Sequence, residues 1–332
     1  MKINKRKKRI LFTIACLFLA GFFLLALVNL EKQDKRGLLP GKKGNDIEKE
    51  KKGIIASGDE VKILFGGDVM FDRYIRQIMQ KRGDDFVLSD IKKFLFENDV
   101  VIANLEGPIT GNESLSAGSI IGERNNYVFT FDPEVADVLA DNNIKVVNIG
   151  NNHILNFGAD GAKETKKYLT DSGVKFFGNF NGNDSPSEYV LDVQGVKVGL
   201  VNCNQFSVDF KNETLEGIKK MKFEADKIVV YAHWGKEYET GDIEEWEKNL
   251  AHEFIDEGAD LIIGSHPHVV QKKESYKGKM IYYSLGNFVF DQYFDVNTQK
   301  GLLVQLIIDE QKNIKFQEHE ISLQKNGKTI LK

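Results

Sequence analysis

The chain has 332 residues, of which 42% are hydrophobic and only 5 are Pro, so it can form a large folded core and is not a disordered polypeptide. Its formal net charge is −4, but the residues beyond position 60 carry 31 basic and 42 acidic side chains, a net charge of −11. This acidic balance excludes bulk electrostatic attraction to nucleic acid, and we expect no nucleic-acid partner.

The chain begins with a basic segment, residues 1–9, followed by residues 10–30, which contain no charged side chain. At about 1.5 Å rise per residue, a helix over 10–30 would be roughly 30 Å long, which matches the hydrocarbon core of a bilayer. We therefore predict a single-pass anchor in a cell membrane, with 1–9 in the cytoplasm and 31–332 outside. The simple anchor and the lack of cysteine pairs in the chain indicate a bacterial membrane. A cleaved signal peptide is the alternative, although its apolar region would usually be shorter.

The part of the chain beyond the anchor divides into three segments. Residues 31–60 are polar, mixed in charge and rich in Lys and Gly, which predicts a solvated linker. We expect an extracytoplasmic domain over 61–325 and a short tail over 326–332. The domain contains one cysteine, Cys203, so no disulfide can form within it, and its apolar neighbours predict a core position.

The domain repeats one pattern: a short apolar run, a turn containing Gly or Asn, and then a helical stretch. "VKILFGGD" predicts the first strand and "MFDRYIRQIMQK" the helix after it. "DVVIANLEG", "IKVVNIGNNH", "KIVVYAHWG", "ADLIIGSHPH" and "MIYYSLGNF" predict further strands, while "GADGAKETKKYLTDSG" and "IEEWEKNLAHEFIDEGA" predict amphipathic helices. "EYVLDVQGVKVGLVN" and "GLLVQLIIDEQKNIKFQEHEIS" predict β-hairpins. The alternation predicts an α/β fold with some antiparallel sheet.

Each predicted strand ends in polar side chains that can bind a metal. Strand ends in open α/β sheets border a crevice, so residues distant in sequence meet there. Each residue alone has an ordinary explanation as a helix cap, a turn residue or a core histidine. The polar strand ends are Asp68, Asn104, Glu106, Asn151, Asn152, His153, His233, His266 and His268. The other two histidines, His252 and His319, are expected on a helix surface and a hairpin surface.

Four of the six histidines lie at these strand ends, and this conjunction favours a metal site. Imidazole nitrogens with carboxylate and amide oxygens suit Zn, Mn or Fe, and no thiolate is present for a softer site. Two such ions bridged by a carboxylate can bind a phosphoryl group and generate hydroxide near neutral pH. The sequence therefore predicts one or two divalent metal ions and makes phosphoester hydrolysis a chemical option.

Six motifs give a family resemblance: "GGDVMFDR", "ANLEGPIT", "NIGNNHILNFGADG", "AHWGKEY", "GADLIIGSHPHVVQ" and "YSLGNFVFDQ" occur in this order. Together they resemble the CapA/PgsA-type poly-γ-glutamate capsule synthesis proteins, over residues 61–310. The resemblance implies a calcineurin-like metallophosphatase fold, a mixed β-sandwich flanked by helices. It also implies a role in capsule biogenesis, with other membrane subunits and a polyanionic polymer or a phosphoester substrate as partners.

The broader metallophosphatase superfamily takes its ligands from D-x-H, G-D, G-N-H-[DE], a lone His and G-H-x-H. Carried onto this sequence, the N-H pair makes His153 the implied catalytic residue, a general acid. The implied metal ligands are Asp68, Glu106, Asn152, His233, His266 and His268.

Other polar residues are expected beside these ligands, and the last two of them could equally be turn residues. They are Asp72, Asn104, Asn151, Asn287 and Asp291.

The sequence departs from the superfamily pattern at three places. Met70 replaces the histidine of D-x-H, so one metal position is weak, empty or served by Asp72. Ile154 replaces the acidic residue after the N-H pair, and Asn156 stands where relatives often have Asp, which leaves His153 without an evident orienting partner. Glu106 in place of Asp is also a longer bridge between metals.

Two main functional hypotheses follow. In the first, the domain is a metal-dependent phosphoesterase acting on a cell-wall or polymer precursor. In the second, it is a metal-bearing component that assists synthesis or export of poly-γ-glutamate without turnover, its cation bridging to polymer carboxylates. A structural surface protein with a vestigial metal site is a third, blander alternative.

Overall fold

The structure, a computed structural model, describes residues 60–180 and 187–332. The predicted anchor over 10–30 and nearly all of the predicted linker lie outside these residues. Within the two described ranges, no helix is both long enough and apolar enough to cross a bilayer.

Two mixed β-sheets form the centre of the domain. The first has the strand order β14-β13-β12-β1-β2-β3-β4, with β11 paired to β1, and the second has the order β5-β6-β7-β8-β10-β9. The strands are β1 (Val61–Val69), β2 (Val100–Leu105), β3 (Ile144–Asn148), β4 (Lys175–Phe177), β5 (Glu188–Val193), β6 (Val196–Asn204), β7 (Lys227–His233), β8 (Leu261–Ser265), β9 (Lys273–Tyr276), β10 (Lys279–Tyr282), β11 (Asn287–Val289), β12 (Lys300–Ile308), β13 (Ile314–Leu323) and β14 (Thr329–Leu331).

The α-helices follow the strands and have apolar faces that need cover. Short 3-10 helices also occur at Asp84–Val87 and Arg124–Tyr127. The α-helices are α1 (Arg73–Arg82), α2 (Lys92–Leu95), α3 (Val135–Asp141), α4 (Gly158–Asp171), α5 (Phe210–Met221) and α6 (Glu245–Glu257).

Three apolar cores give the domain four layers. The central core lies between the two sheets and contains residues such as Phe65 of β1 and Val229 of β7. A second core joins the first sheet to α1, α3 and α4, and a third joins the second sheet to α5 and α6. Side chains alternate along each strand, so β1 supplies Phe65 to one core and Leu64 to the next. This β-sandwich flanked by helices confirms the predicted mixed α/β architecture.

Both predicted hairpins are present. β5 and β6 pair through Gln194 and Gly195, whose φ angles of 53° and 84° are those of a two-residue hairpin turn. β12 and β13 form the second hairpin. Thr329–Leu331 pairs with β13, so part of residues 326–332, expected as a tail, extends the first sheet instead. Cys203 is buried, and burial raises the pKa of its thiol to about 12, so it is a core residue and not a nucleophile near neutral pH.

Two glycines allow close backbone approaches directly before the polar strand ends. A Cβ at Gly67 would lie 1.8 Å from the carbonyl oxygen of Gly286, and a Cβ at Gly264 would lie 1.9 Å from the carbonyl oxygen of Tyr283. No side chain fits in either place. The approaches fix where β1 and β8 end relative to the strands beside them.

The burial of Glu247, in α6, can be tested through the titration of its carboxyl group. The residue is only 2% exposed, and its Oε2 has no hydrogen-bond partner in the part of the chain that the structure describes. Burial, together with the nearby charge of Glu244, raises the pKa of its carboxyl from 4.5 to about 7. The folded state therefore binds this proton more tightly than the unfolded state, and stability falls as the pH rises from about 4.5 to 7.

We expect Glu247→Gln to raise the free energy of unfolding at pH 8 by on the order of 1–2 kcal/mol, with the gain shrinking toward zero at pH 4. Denaturant unfolding at both pH values measures the difference. Glu245→Gln, an exposed change on the same helix, is the matched control and should have little effect at either pH. An equal gain from Glu247→Gln at pH 4 and pH 8 would contradict the titration.

Candidate metal centre

Parallel strands bring the predicted polar residues to one edge of each sheet. In the first sheet, Asp68 of β1 lies in register with Asn104 of β2, which in turn lies in register with Asn148 of β3. In the second sheet, His233 of β7 lies in register with Ser265 of β8. Because parallel strands all end at the same edge, the two rows of polar side chains form one buried cluster.

Asparagine amides connect the two rows. Asn104 donates its Nδ2 to Asp68 Oδ1 at 2.8 Å and accepts from Asn148 Nδ2 at 3.0 Å. Asn202 of β6 donates to Asn148 Oδ1 at 2.9 Å, which joins the second sheet to the first. Asn151 also donates to Asn104, at 3.2 Å, and accepts from the backbone N–H groups of the next turn. Asn104 and Asn151 therefore hold the ligand-bearing loops in place.

The loop after β8 points two imidazoles into the cluster. His266 and His268, on either side of Pro267, have positive φ angles of 95° and 59°, which non-glycine residues rarely adopt. The His266 N–H donates to Asp68 Oδ2 at 3.1 Å, and the Tyr238 N–H donates to the Pro267 carbonyl at 2.8 Å. These two hydrogen bonds hold the strained loop, so both side chains face the same crevice.

Glu106, His266 and His268 form the group best suited to a metal ion. One potential ligand atom from each lies within 4.8 Å of the other two. Glu106 is fully buried, and both its carboxylate oxygens, like His266 Nδ1, lack a hydrogen-bond partner among residues 60–180 and 187–332. Burial and the neighbouring charge of Asp68 raise the pKa of Glu106 well above its usual range. A divalent cation held by this group would give the buried Glu106 carboxylate a partner, so these residues fit the implied metal.

Hydrogen bonds orient His268 as a ligand. Its Nδ1 lies 3.0 Å from Asn287 Oδ1, and the Asn287 amide nitrogen donates to three acceptors, among them the His268 carbonyl. The Asn287 oxygen must therefore accept from Nδ1–H, which leaves Nε2 unprotonated, 3.4 Å from Glu106 Oε1. Asn287, predicted either beside the ligands or as a turn residue, thus orients His268, a candidate ligand.

His233 and Asn152 lie next to this group. His233 Nε2 lies 2.9 Å from Asn152 Oδ1, and its ring centroid is 4.8 Å from that of His266. Burial, with the nearby histidines, lowers the pKa of His233 well below its usual range, so the ring is neutral and able to bind a metal. The structure thus brings these two predicted ligands together with each other and with His266.

His153 has an orienting partner that its sequence pattern did not suggest. The Asn156 amide nitrogen lies 3.1 Å from His153 Nδ1 and also donates to the Tyr127 carbonyl at 3.0 Å, which identifies it as the donor. The proton of the neutral ring is then on Nε2, 3.9 Å from Glu106 Oε1. Burial, followed by the neighbouring His268, lowers the pKa of His153 to about 3. The expectation of an unoriented His153 is therefore corrected.

Asp72 is used elsewhere, whereas Asp291 lines the cavity that also contains His153 and His268. Asp72 caps α1 and accepts from Arg76 Nε at 2.9 Å, from the Thr130 N–H at 2.9 Å and from two serine hydroxyls. Its carboxylate is fully engaged, so it does not replace the histidine missing at Met70. Asp291 forms an ion pair with Arg73 and accepts from the Tyr74 N–H at 3.1 Å.

Several residues of the cluster were not identified from the sequence. Asn148 and Asn202 both lie in strands that end at the cluster, and an asparagine at such a position was the signal that could have found them. Ser265 directly precedes the histidine pair. Arg73 had no such signal, because its role depends on contacts with Phe129 and Asp291, far away in the sequence.

A four-layer sandwich with a buried histidine and carboxylate cluster at its strand ends defines an α/β domain with a candidate metal site. Residues 62–292 match the family model "Bacterial capsule synthesis protein PGA_cap", and the chain belongs to this family. It is 31% identical over 265 residues to "PGA biosynthesis protein CapA" of Bacillus subtilis (strain 168), covering 75% of this chain and 68% of that protein. It is also 31% identical over 265 residues to "Capsule biosynthesis protein CapA" of Bacillus anthracis, covering 72% and 62%.

A solved structure shares the fold. It is that of a hypothetical protein from Thermus thermophilus, with a TM-score of 0.50 and 15% sequence identity, over 78% of this chain and 98% of that chain. The relatives named above confirm the resemblance to the capsule synthesis family.

The strained loop makes a testable prediction about His266. Replacing it by Gly or by Ala removes the imidazole in both cases, but only Gly adopts a φ of 95° without strain. We expect the His266→Gly variant to have a free energy of unfolding about 1 kcal/mol higher than that of His266→Ala. Denaturant unfolding of the metal-free variants measures it.

His153 gives the matched control, because its φ angle is not positive. There the Gly variant should be less stable than the Ala variant, by about 0.5–1 kcal/mol. A Gly variant that is the less stable one at both positions would show that the loop stores no strain.

Proposed function

We propose that the chain is a membrane-anchored, extracytoplasmic component of poly-γ-glutamate capsule biosynthesis that carries one or two divalent metal ions at its strand ends. Family membership supports the process. The observation that supports a metal site is the position of Glu106, a fully buried carboxylate without a hydrogen-bond partner among the described residues, beside His266 and His268.

Six residues of the chain would hold the metal ion or ions at this site. Glu106, His266 and His268 would hold an ion such as Mn, Zn or Fe, with Asp68, Asn152 and His233 completing the set. A bound divalent ion supplies positive charge that binds oxyanions and polarises water. This local charge would let a domain of net charge −11 bind an anionic polymer.

The cellular setting belongs to the same proposal. The basic segment 1–9 and the apolar segment 10–30 support an anchor with the domain outside the cell membrane. Such a domain would work together with other membrane subunits that make or export the polymer.

A second candidate function is metal-dependent hydrolysis of a phosphoester precursor. The observation favouring it is a cavity of about 340 Å³ lined by His153, Arg73 and His268. His153 is held there by Asn156 and points Nε2 toward Glu106. It could donate a hydrogen bond to a substrate oxygen next to the metal.

Metal content tests the site directly. We expect the purified full-length chain, incubated with Mn²⁺ or Zn²⁺ and desalted, to contain one or two ions per polypeptide by elemental analysis. His266→Ala/His268→Ala should lose them, because it removes two of the three grouped ligands and leaves only Glu106. His252→Ala is the control, since His252 pairs with Glu274 outside the cluster. A native chain that binds neither ion would refute the metal site.

Capsule formation separates the two candidate functions. In a capsule-forming strain that lacks its own relative, we expect the native chain to restore surface polymer and His266→Ala/His268→Ala to fail. His153→Gln keeps the three metal-binding residues, so a component without turnover should still restore polymer. If His153→Gln also fails, and the native chain hydrolyses a phosphoester only with metal, the hydrolase is the better assignment.

A further inference from the structure

The cavity beside the metal centre has a fixed cation in its wall. Arg73 lines it and forms an ion pair with Asp291, while its Nη1 donates to Asn126 Oδ1 at 3.3 Å. Its Nε has no hydrogen-bond partner within the described residues. The guanidinium lies 5.1 Å from the ring centroid of Phe129 and 5.4 Å from that of Phe290, so two aromatic rings and two polar side chains hold it.

The same two rings connect Arg73 to the metal-site histidines. The Phe129 ring centroid is 4.4 Å from that of His153, and the Phe290 ring centroid is 4.8 Å from that of His268. Arg73 is therefore separated from each histidine by one aromatic ring. An oxyanion in this cavity could contact both the arginine and a metal ion held by Glu106, His266 and His268.

The mouth of the cavity is apolar. Ile121 is 85% exposed, Tyr127 46%, Tyr238 39% and Phe294 65%, and all four line the cavity. The Tyr238 ring packs against Phe294 at 5.3 Å and against His268 at 5.9 Å between centroids. The apolar surface thus runs from solvent to the metal centre, and such a grouped patch is typical of a binding site.

Without a bound metal ion, the charges that line the cavity give a polyanion no net attraction. The positive charge of Arg73 is paired with Asp291, and Glu237 adds a second carboxylate to the lining. Apart from a bound metal ion, the cavity offers little excess positive charge. A ligand that also buries apolar surface at the mouth gains free energy that a small, fully polar anion does not.

We propose that this cavity binds a small amphiphilic oxyanion. Its carboxylate or phosphoryl head lies between Arg73 and the metal centre, and its apolar substituent lies across Ile121, Tyr127, Tyr238 and Phe294. The proposal deepens the proposed function and rests on it for the metal contact. It names the chemical class of ligand that the same site accepts.

Four probe ligands distinguish the contribution of the oxyanion head group to binding from that of the apolar substituent. Binding of phenylphosphonate, methylphosphonate, benzoate and acetate is measured by calorimetry on the full-length chain in lipid nanodiscs loaded with Mn²⁺, with empty nanodiscs as blanks. None of the four carries a phosphoester bond that could be hydrolysed. We expect each ring-bearing probe to bind about tenfold more tightly than its methyl counterpart. The pair that binds more tightly identifies the head group as phosphoryl or carboxylate.

Two variants locate the ligand. Ile121→Ser/Phe294→Ser should abolish most of the preference for the ring and leave methylphosphonate binding unchanged. Phe223→Ser is the matched control, because Phe223 is 91% exposed and does not line the cavity. Arg73→Gln/Asp291→Asn removes both charges of the ion pair and leaves no buried charge unpaired, and it should weaken all four probes about tenfold.

The metal content of every variant is also measured, and the titrations are repeated after chelation. These measurements distinguish a failure of this proposal from a failure of the proposed function. A ring preference that survives chelation but disappears in Ile121→Ser/Phe294→Ser supports the amphiphile site even if the metal role fails. Equal binding of phenylphosphonate and methylphosphonate, or a ring preference unchanged in Ile121→Ser/Phe294→Ser, overturns the proposal. So does unchanged binding in Arg73→Gln/Asp291→Asn.

Discussion

The site depends on the carboxylate of Asp68. Its Oδ1 accepts from the Asn104 amide within the first sheet, and its Oδ2 accepts from the His266 backbone, which follows the second sheet. The same Oδ2 lies 3.4 Å from His268 Nδ1. One buried side chain thus sets the distance between the two sheets at the edge where the histidines lie. The two halves of the metal centre therefore form only when the sandwich is assembled.

This arrangement explains why strained backbone persists beside the metal-binding residues. Positive φ angles at His266 and His268 are unfavourable for side-chain-bearing residues, at about 1–3 kcal/mol each. The close contact at Gly264, the hydrogen bond to Asp68 and the hydrogen bond to Tyr238 leave the loop no relaxed alternative. Rigid packing around the loop places two imidazoles in one crevice before any ligand binds.

Local patterns predicted most of the fold and the region of the site, but not its connections. Apolar runs with Gly or Asn predicted most of the strands and both hairpins, because these depend on neighbouring residues. The strands β4 and β9 and the helix α5 were not predicted. Thr329–Leu331 is a short strand that forms only by pairing with β13, so no local pattern marked it. The orienting role of Asn156 and the engagement of Asp72 by Arg76 and Thr130 likewise depend on tertiary contacts.

The replacement at Met70 bears on which metal position fills first. Met70 is fully buried, and its Sδ accepts from the Asp72 N–H at 3.0 Å, so this side chain is part of the packing. Asn152 Oδ1 and His233 Nε2 satisfy each other at 2.9 Å without an ion. Among the candidate ligands, the buried atoms without a hydrogen-bond partner in the described part of the chain are instead on Glu106 and His266. Since the gain from binding a cation is largest where buried polar atoms lack partners, the first ion would bind at Glu106, His266 and His268.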